Sequence, residues 1–394
     1  MTVLIASQSS CSRNPIQIKL EFPISEINRL NAPAFTTLMI PVLVNSLDML
    51  LPQEIPSENS ITDWTLRHAF LGTLLAGKTN DVEAITNLAM AQELERVLHQ
   101  MPAAGTAIAD LEGQLEDVAH DAYFQLRRVK HDEPAVLVRA VLSARLIFLK
   151  EVEEGPIAIA KEALEQIDRA FADLLSCLFG GKVNVARHVT AWQFGETCQP
   201  MRRWVRGHLV FAALTQGLIV SFRSLAQALR AGDSEQVQRW ADLSISLLDG
   251  SAGAFILTGD FPPEEYENTI RPSMTPPASP VGLSGLMSAD HRYLAQTMRD
   301  MRPALKSLAE QEPERHDRIT AALSGVYDSH IHVCERFVGR RPSILTAGRT
   351  ERSGPSLVEQ FKTLRLKPFE QAQRAPRLSA ERPRVVPGQC PFHK

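Results

Sequence analysis

From about residue 60 onward, apolar residues recur at spacings of three and four, the mark of successive helices rather than strands. Leu111, Leu115, Val118, Ala122, Leu126 and Val129 trace one face of a helix. Pro134 opens Ala135–Lys150, and Pro156 stands at the first turn of Ile157–Leu178, which Gly180 and Gly181 bring to an end. A longer segment runs from Pro200 to about Arg230, and another from Asp233 or Ser234 to Gly250. A further helix spans Pro313 to Val338. No run of alternating apolar and polar residues separates these segments, so the expected fold class is all-α.

Two stretches break the pattern. Residues 250–288 carry Pro262, Pro263, Pro272, Pro276, Pro277 and Pro280, yet end in the rather apolar Gly282-Leu-Ser-Gly-Leu-Met-Ser288. A loop that long inside a helical domain is usually functional or disordered, and its apolar end favours an ordered loop packed over a site. From about Gly339 the chain is rich in Pro and Arg, with little helical periodicity after Leu366, and is expected to wrap the surface or be partly disordered. The division this predicts is an N-terminal extension packed on the core (1–59), a helical catalytic domain (60–339) with loop 250–288 over its site, and a C-terminal tail (340–394).

Hydrophobic residues at 44% and charged residues at 22% are the usual globular balance. A net charge of −3, with no basic face interleaved with aromatics, gives no reason to expect a nucleic-acid partner. Cys11, Cys177, Cys198, Cys334 and Cys390 are scattered and odd in number, a poor disulfide framework that suits a reducing compartment. The N-terminus lacks a charged region leading into an apolar core and cleavage site. The apolar stretch Leu38 to Leu51 is too short for a span and contains Pro41, Asn45 and Asp48. A cytoplasmic protein with no membrane partner is expected; a homo-oligomer is compatible with the sequence.

Candidate chemistry gathers at the histidines. On the Pro313–Val338 helix, His330 and Cys334 are four apart and share a face, with about 5–6 Å between Cβ atoms. An imidazole there can ligate iron and a thiol can add to a porphyrin vinyl group, although the spacing alone also suits a chance core or surface pair. Ser288 is a good N-cap, which places His291 in the first turn of a helix, where the dipole disfavours the imidazolium. That makes His291 a metal-ready neutral imidazole or a surface histidine beside a cap. His120, with Phe124 one turn on, reads as a satisfied core histidine or as a polar group facing a pocket. His188, His208 and His332 read as structural. Cys390-Pro-Phe-His393 has metal-like spacing but stands alone.

His291, thirty-eight further residues and then His330-Ile-His-Val-Cys334 together resemble the His-x(n)-His-x-x-x-Cys haem motif of the haem-dependent 3-methyl-L-tyrosine hydroxylases (peroxygenases) of saframycin biosynthesis. That family lies in the wider tryptophan 2,3-dioxygenase-like group of helical, histidine-ligated haem proteins. Val118-Ala-His-Asp-Ala-Tyr-Phe-Gln-Leu126 also resembles the His-Gln-x-Tyr-Glu-Leu-Trp segment of tryptophan dioxygenases. The resemblance implies haem iron held by His330, with His291 as second axial ligand, and one thioether through Cys334. It implies His120 as a distal acid–base group and Ser284 and Gly285, in the small-residue loop, as substrate contacts. It further implies an aromatic amino acid substrate, 3-methyl-L-tyrosine hydroxylated to 3-hydroxy-5-methyl-L-tyrosine. The oxidant would be hydrogen peroxide, or dioxygen with a reductant.

Tryptophan dioxygenases use one protein histidine on iron, so His291 is a departure from the wider pattern. The carboxylate of such a substrate calls for an arginine, with Arg202, Arg203, Arg271 and Arg292 as candidates. The same residues would also serve a bis-histidine haem electron carrier or redox sensor. A structural zinc site using His330 or His332 with Cys334 is the third reading.

Overall fold

In a computed structural model of the chain, residues 50–52, 55–57, 60, 85–101, 115–129, 134–179, 188–280, 282–339, 341 and 353–373 are described. They are helical almost throughout. Most of the expected N-terminal extension, Leu111, the Gly180–Gly181 stop, Cys11 and the Cys390–His393 pair lie outside them.

The helices, in chain order, are α1 (Asn87–Gln100), α2 (Leu115–Tyr123), α3 (Pro134–Glu154), α4 (Lys161–Leu178), α5 (Pro200–Ala231) and α6 (Ser234–Thr258). They continue with α7 (Ala289–Asp300), α8 (Arg302–Gln311), α9 (Pro313–Phe337) and α10 (Gly354–Gln373). Two three-residue strands, β1 (Leu50–Pro52) and β2 (Arg127–Val129), pair in parallel with Leu50 opposite Arg127.

The centre of the bundle is the hairpin of α5 and α6. Pro200 supplies a first-turn residue with no backbone N–H to satisfy, and Gly232 ends α5 at φ 69, a left-handed conformation that glycine adopts without a Cβ clash. Asp233 then caps α6 by accepting the Gln236 N–H at 3.1 Å. α6 packs against α5, α4 and α9, so three helices cover it. Of the described helices, only α5 is long and apolar enough to cross a membrane, and 89% of its apolar window is buried in the core.

Several boundaries differ from those the pattern predicts. α6 runs through Gly250 to Thr258. Gly250 and Gly253 are where the helix meets α4: a Cβ on Gly250 would sit 2.4 Å from Ala170 Cβ, and one on Gly253 2.6 Å from the Ala163 carbonyl. Those glycines permit close helix packing rather than stopping the helix. The Pro-rich loop is correspondingly shorter, and it contains the helical pieces Pro263–Glu265, Tyr266–Ile270 (a π turn) and Arg271–Ser273.

α4 begins at Lys161, five residues after Pro156, because the intervening backbone is engaged elsewhere. Arg203 takes the Pro156 carbonyl at 2.8 Å and Asp260 takes the Ala158 N–H at 2.9 Å. α2 ends at Tyr123; Gln125 turns at φ 57, and Leu126 leads into β2, which holds Val129, instead of continuing the helix. The region expected to wrap the surface contains α10, whose Leu357, Val358, Leu366, Phe369 and Ala372 are buried against α9 and α8.

Candidate functional site

Four histidines from four helices come within electrostatic reach of one another: His120 of α2, His208 of α5, His291 of α7 and His330 of α9. Each is fixed by different local chemistry. The Ser288 hydroxyl accepts the His291 N–H at 3.4 Å, the cap expected from the sequence, and so sets the first turn of α7. The His330 ring stacks on Phe255 of α6, with centroids 4.4 Å apart and planes 14° apart, and Phe255 rests edge-on against Phe211. His208 stacks on Phe124 at 3.9 Å, and its Nδ1 lies 2.7 Å from the Trp204 carbonyl. A carbonyl only accepts, so Nδ1 carries the hydrogen and Nε2 keeps its lone pair.

All three of these imidazoles are held neutral. Burial pushes His208 down to about 3, and it pushes His291 and His330 down to about 4. For His291 the Arg365 guanidinium adds to the effect, and for His330 the neighbouring His291 does. Each of the three residues is half-buried. One consequence can be measured on the polypeptide free of any cofactor. The unfolded chain, with histidines near 6.5, binds more protons than the folded chain between pH 6.5 and about 4. Stability therefore falls as pH drops through that window. The urea midpoint should decline steadily from pH 6.5 toward pH 4; a flat profile would mean that these histidines are not held neutral.

His120 is 4% exposed, and its Nδ1 lies 3.2 Å from Asp121 Oδ1. Asp121 also takes Arg128 Nε at 2.5 Å, and Arg128 Nη2 reaches Asp290 Oδ2 at 3.0 Å. Gln216 completes the chain by donating to Asp290 Oδ1 at 3.1 Å. Burial opposes the ionised form of Asp121, but the His120 hydrogen bond and the Arg128 charge outweigh it and hold the carboxyl below its usual value. Burial likewise opposes the Arg128 charge, and Asp290 and Asp121 overcome it. This buried series joins His120 to the residue immediately before His291, so α2, β2 and α7 position the two imidazoles as one unit.

Cys334 is half-buried one turn beyond His330, and burial pushes its thiol up to about 11, so it stays protonated near neutral pH. The Ser284 carbonyl accepts the Met287 N–H at 3.0 Å, opening the 3-10 turn Gly285–Met287 that packs against α2 and leaves Gly285 exposed. A Cβ on Gly285 would meet no atom within 4 Å. His332 is exposed, as a position half a turn from His330 should be.

The arginine candidates separate clearly. Arg202 and Arg203 are tied to Glu151, with Glu154 and Asp260 as further partners, at the far ends of α3 and α5. Arg292 is paired with Asp117 and with the Met287 carbonyl. Arg271 lies 3.9 Å from Glu267. His208, read as structural from the sequence, joins the cluster instead. Asp121, Arg128, Asp290 and Phe255 were not singled out at all; a charged residue directly before buried Val129 was the one local hint of Arg128.

Fold and site together define a helical protein whose separate helices bring neutral imidazoles within electrostatic reach of one another. A family model described as SfmD 3-methyl-L-tyrosine peroxygenase matches residues 48–318, and the chain belongs to that family. It is 33% identical over 253 residues to a 3-methyl-L-tyrosine peroxygenase of Streptomyces lavendulae, covering 63% of this chain and 69% of the relative. Its fold is similar to a crystal structure of reduced SfmD obtained by soaking with sodium hydrosulfite, at TM-score 0.62 and 26% identity, over 73% of this chain and 98% of that one. The expected family and the all-helical fold are borne out, and the chain is accordingly an enzyme.

Proposed function

We propose that the chain is a haem-dependent peroxygenase that hydroxylates 3-methyl-L-tyrosine ortho to its phenol, giving 3-hydroxy-5-methyl-L-tyrosine. The observation that carries this reading is the pair of neutral imidazoles, His330 and His291, which come from different helices and lie within electrostatic reach of one another. The donor set suits haem. Among the described residues no group of three or more His, Cys, Asp or Glu stands where side chains alone could hold a metal ion. A structural zinc site wants four ligands, whereas a porphyrin brings its own four and asks the protein only for axial ones.

In this reading His330 would be the lasting protein ligand of the haem iron and His291 a second, displaceable one. The Cys334 thiol, on the same face as His330, would anchor the porphyrin through one thioether, the addition of its S–H across a vinyl group. Haem, when bound, supplies the redox chemistry that delivers one oxygen of hydrogen peroxide to the ring while the other leaves as water. Dioxygen with a reductant would serve the same purpose. The polypeptide provides position and proton control. His120, oriented through Nδ1 by Asp121, offers its other nitrogen to the phenol or peroxide proton within hydrogen-bond reach. Ser284 and Gly285, in the turn that packs against α2, border the substrate in this reading. His291, at the junction of loop and helix, is the ligand placed to move aside when the substrate face is needed.

The test is direct. The haem-loaded protein, given 3-methyl-L-tyrosine and hydrogen peroxide, should form a product heavier by one oxygen. Reversible cycling of the haem with no catechol formed would favour an electron carrier instead. Cys334→Ala should make the haem extractable by acidified acetone while leaving its histidine-ligated spectrum in place. Haem that resists extraction in this variant would place the covalent link elsewhere.

A further inference from the structure

α10 runs antiparallel along α9. A Cβ on Gly354 would lie 3.8 Å from Cys334 Sγ, Lys362 Nζ meets Asp328 Oδ1 at 2.5 Å, and the Phe369 ring lies 6.2 Å from that of His316. Buried Leu366 and Phe369 fix the helix in that register. Between these anchors Arg365 reaches across to α7, where its Nη1 donates to the Ala295 carbonyl at 3.3 Å. Ala295 is one turn beyond His291. Tyr327, whose hydroxyl is within electrostatic reach of the same guanidinium, is one turn before His330. The Arg365 head group therefore bridges the two helices that carry these imidazoles, and its charge is felt at His291.

Its partners, a carbonyl and a phenol, are both neutral. Among the described residues no carboxylate lies within ion-pair distance of Arg365, in contrast with Arg128, Arg203 and Arg292. A guanidinium has five N–H donors in a planar fork that matches a carboxylate. Here most of the fork is left over, beside a site whose ligands are acids. We propose that Arg365 is the carboxylate-binding cation of the histidine site. It lies beyond residue 318, where the family match ends. The proposal deepens the peroxygenase reading and rests on it. Two carboxylates share this chemistry: the α-carboxylate of the amino acid and a propionate of the porphyrin.

The experiment uses the full-length holoenzyme and two variants, Arg365→Gln and Arg365→Lys. Each is titrated with 3-methyl-L-tyrosine and with the same phenol lacking the carboxylate, following the haem absorption. If Arg365 holds the substrate, the wild type prefers the amino acid, Gln weakens its binding about ten- to hundred-fold, Lys restores part, and the decarboxylated analogue is unaffected. If it holds a propionate, the substrate preference stays. Haem transfer from the Cys334→Ala/Arg365→Gln double variant to an acceptor protein then runs about ten-fold or more faster than from Cys334→Ala alone. Unchanged preference together with unchanged haem transfer, in variants of normal helix content and melting, would overturn the assignment and leave Arg365 as a latch between helices. If the Gln variant does not fold, the Lys variant decides by the same two readouts. Should the wild type bind no haem, the peroxygenase reading fails by itself, and calorimetric titration of the haem-free chain with the two phenols still decides the role of Arg365.

Discussion

Replacing His330 by alanine should reduce product formation by on the order of a thousand-fold or more, as loss of a group around which a catalytic unit is assembled does. The informative detail is what survives. With Cys334 in place, the covalent link does not depend on the ligand, so the intact mass of His330→Ala should still include one haem while its spectrum loses the imidazole pair. In the His330→Ala/Cys334→Ala double variant only His291 is left to hold the group, and the protein should purify with far less haem. A His330→Ala enzyme that kept near-normal turnover would remove His330 from the role of lasting ligand.

The second large effect is expected far from the reacting atoms. Arg128→Met removes a buried cation and leaves Asp121 and Asp290, 1% and 5% exposed, facing a vacated volume with no opposite charge. Breaking a buried ion pair from one side costs about 3–5 kcal/mol, because the stranded partner is left uncompensated. Here two partners are stranded, so the urea midpoint should fall markedly. The loss should be smallest at low pH, where the stranded carboxylates can protonate. Since Asp290 precedes His291 and Asp121 orients His120, the surviving folded enzyme should also hold both imidazoles less firmly. An Arg128→Met protein as stable as the parent would mean that the series is not formed.

How much of this was readable in the chain depends on the range of the interaction. The ends of α5 were legible because proline and glycine act locally: Pro200 suits a first turn and Gly232 a left-handed stop. The end of α6 was not, since Gly250 reads as a breaker in isolation and as a contact point only once α4 lies against it. Pro156 misled for the same reason, its neighbours being held by Arg203 and Asp260 from distant parts of the chain. At the site, His330 and Cys334 were legible through their one-turn spacing, and His291 through its serine cap. His208 carries no such local mark; it is one polar residue in a 32-residue, mostly buried helix, and its place beside Phe124 is purely tertiary. The Arg128–Asp290 contact spans 162 residues and leaves no trace in local pattern.

The central claim, that the helical interior holds haem between the imidazoles of His330 and His291, is tested most directly by the ferric absorption spectrum of the purified protein with and without His291. The account predicts a low-spin spectrum for the parent that becomes high-spin in His291→Ala. A colourless parent, or a haem spectrum unmoved by that substitution, would contradict it.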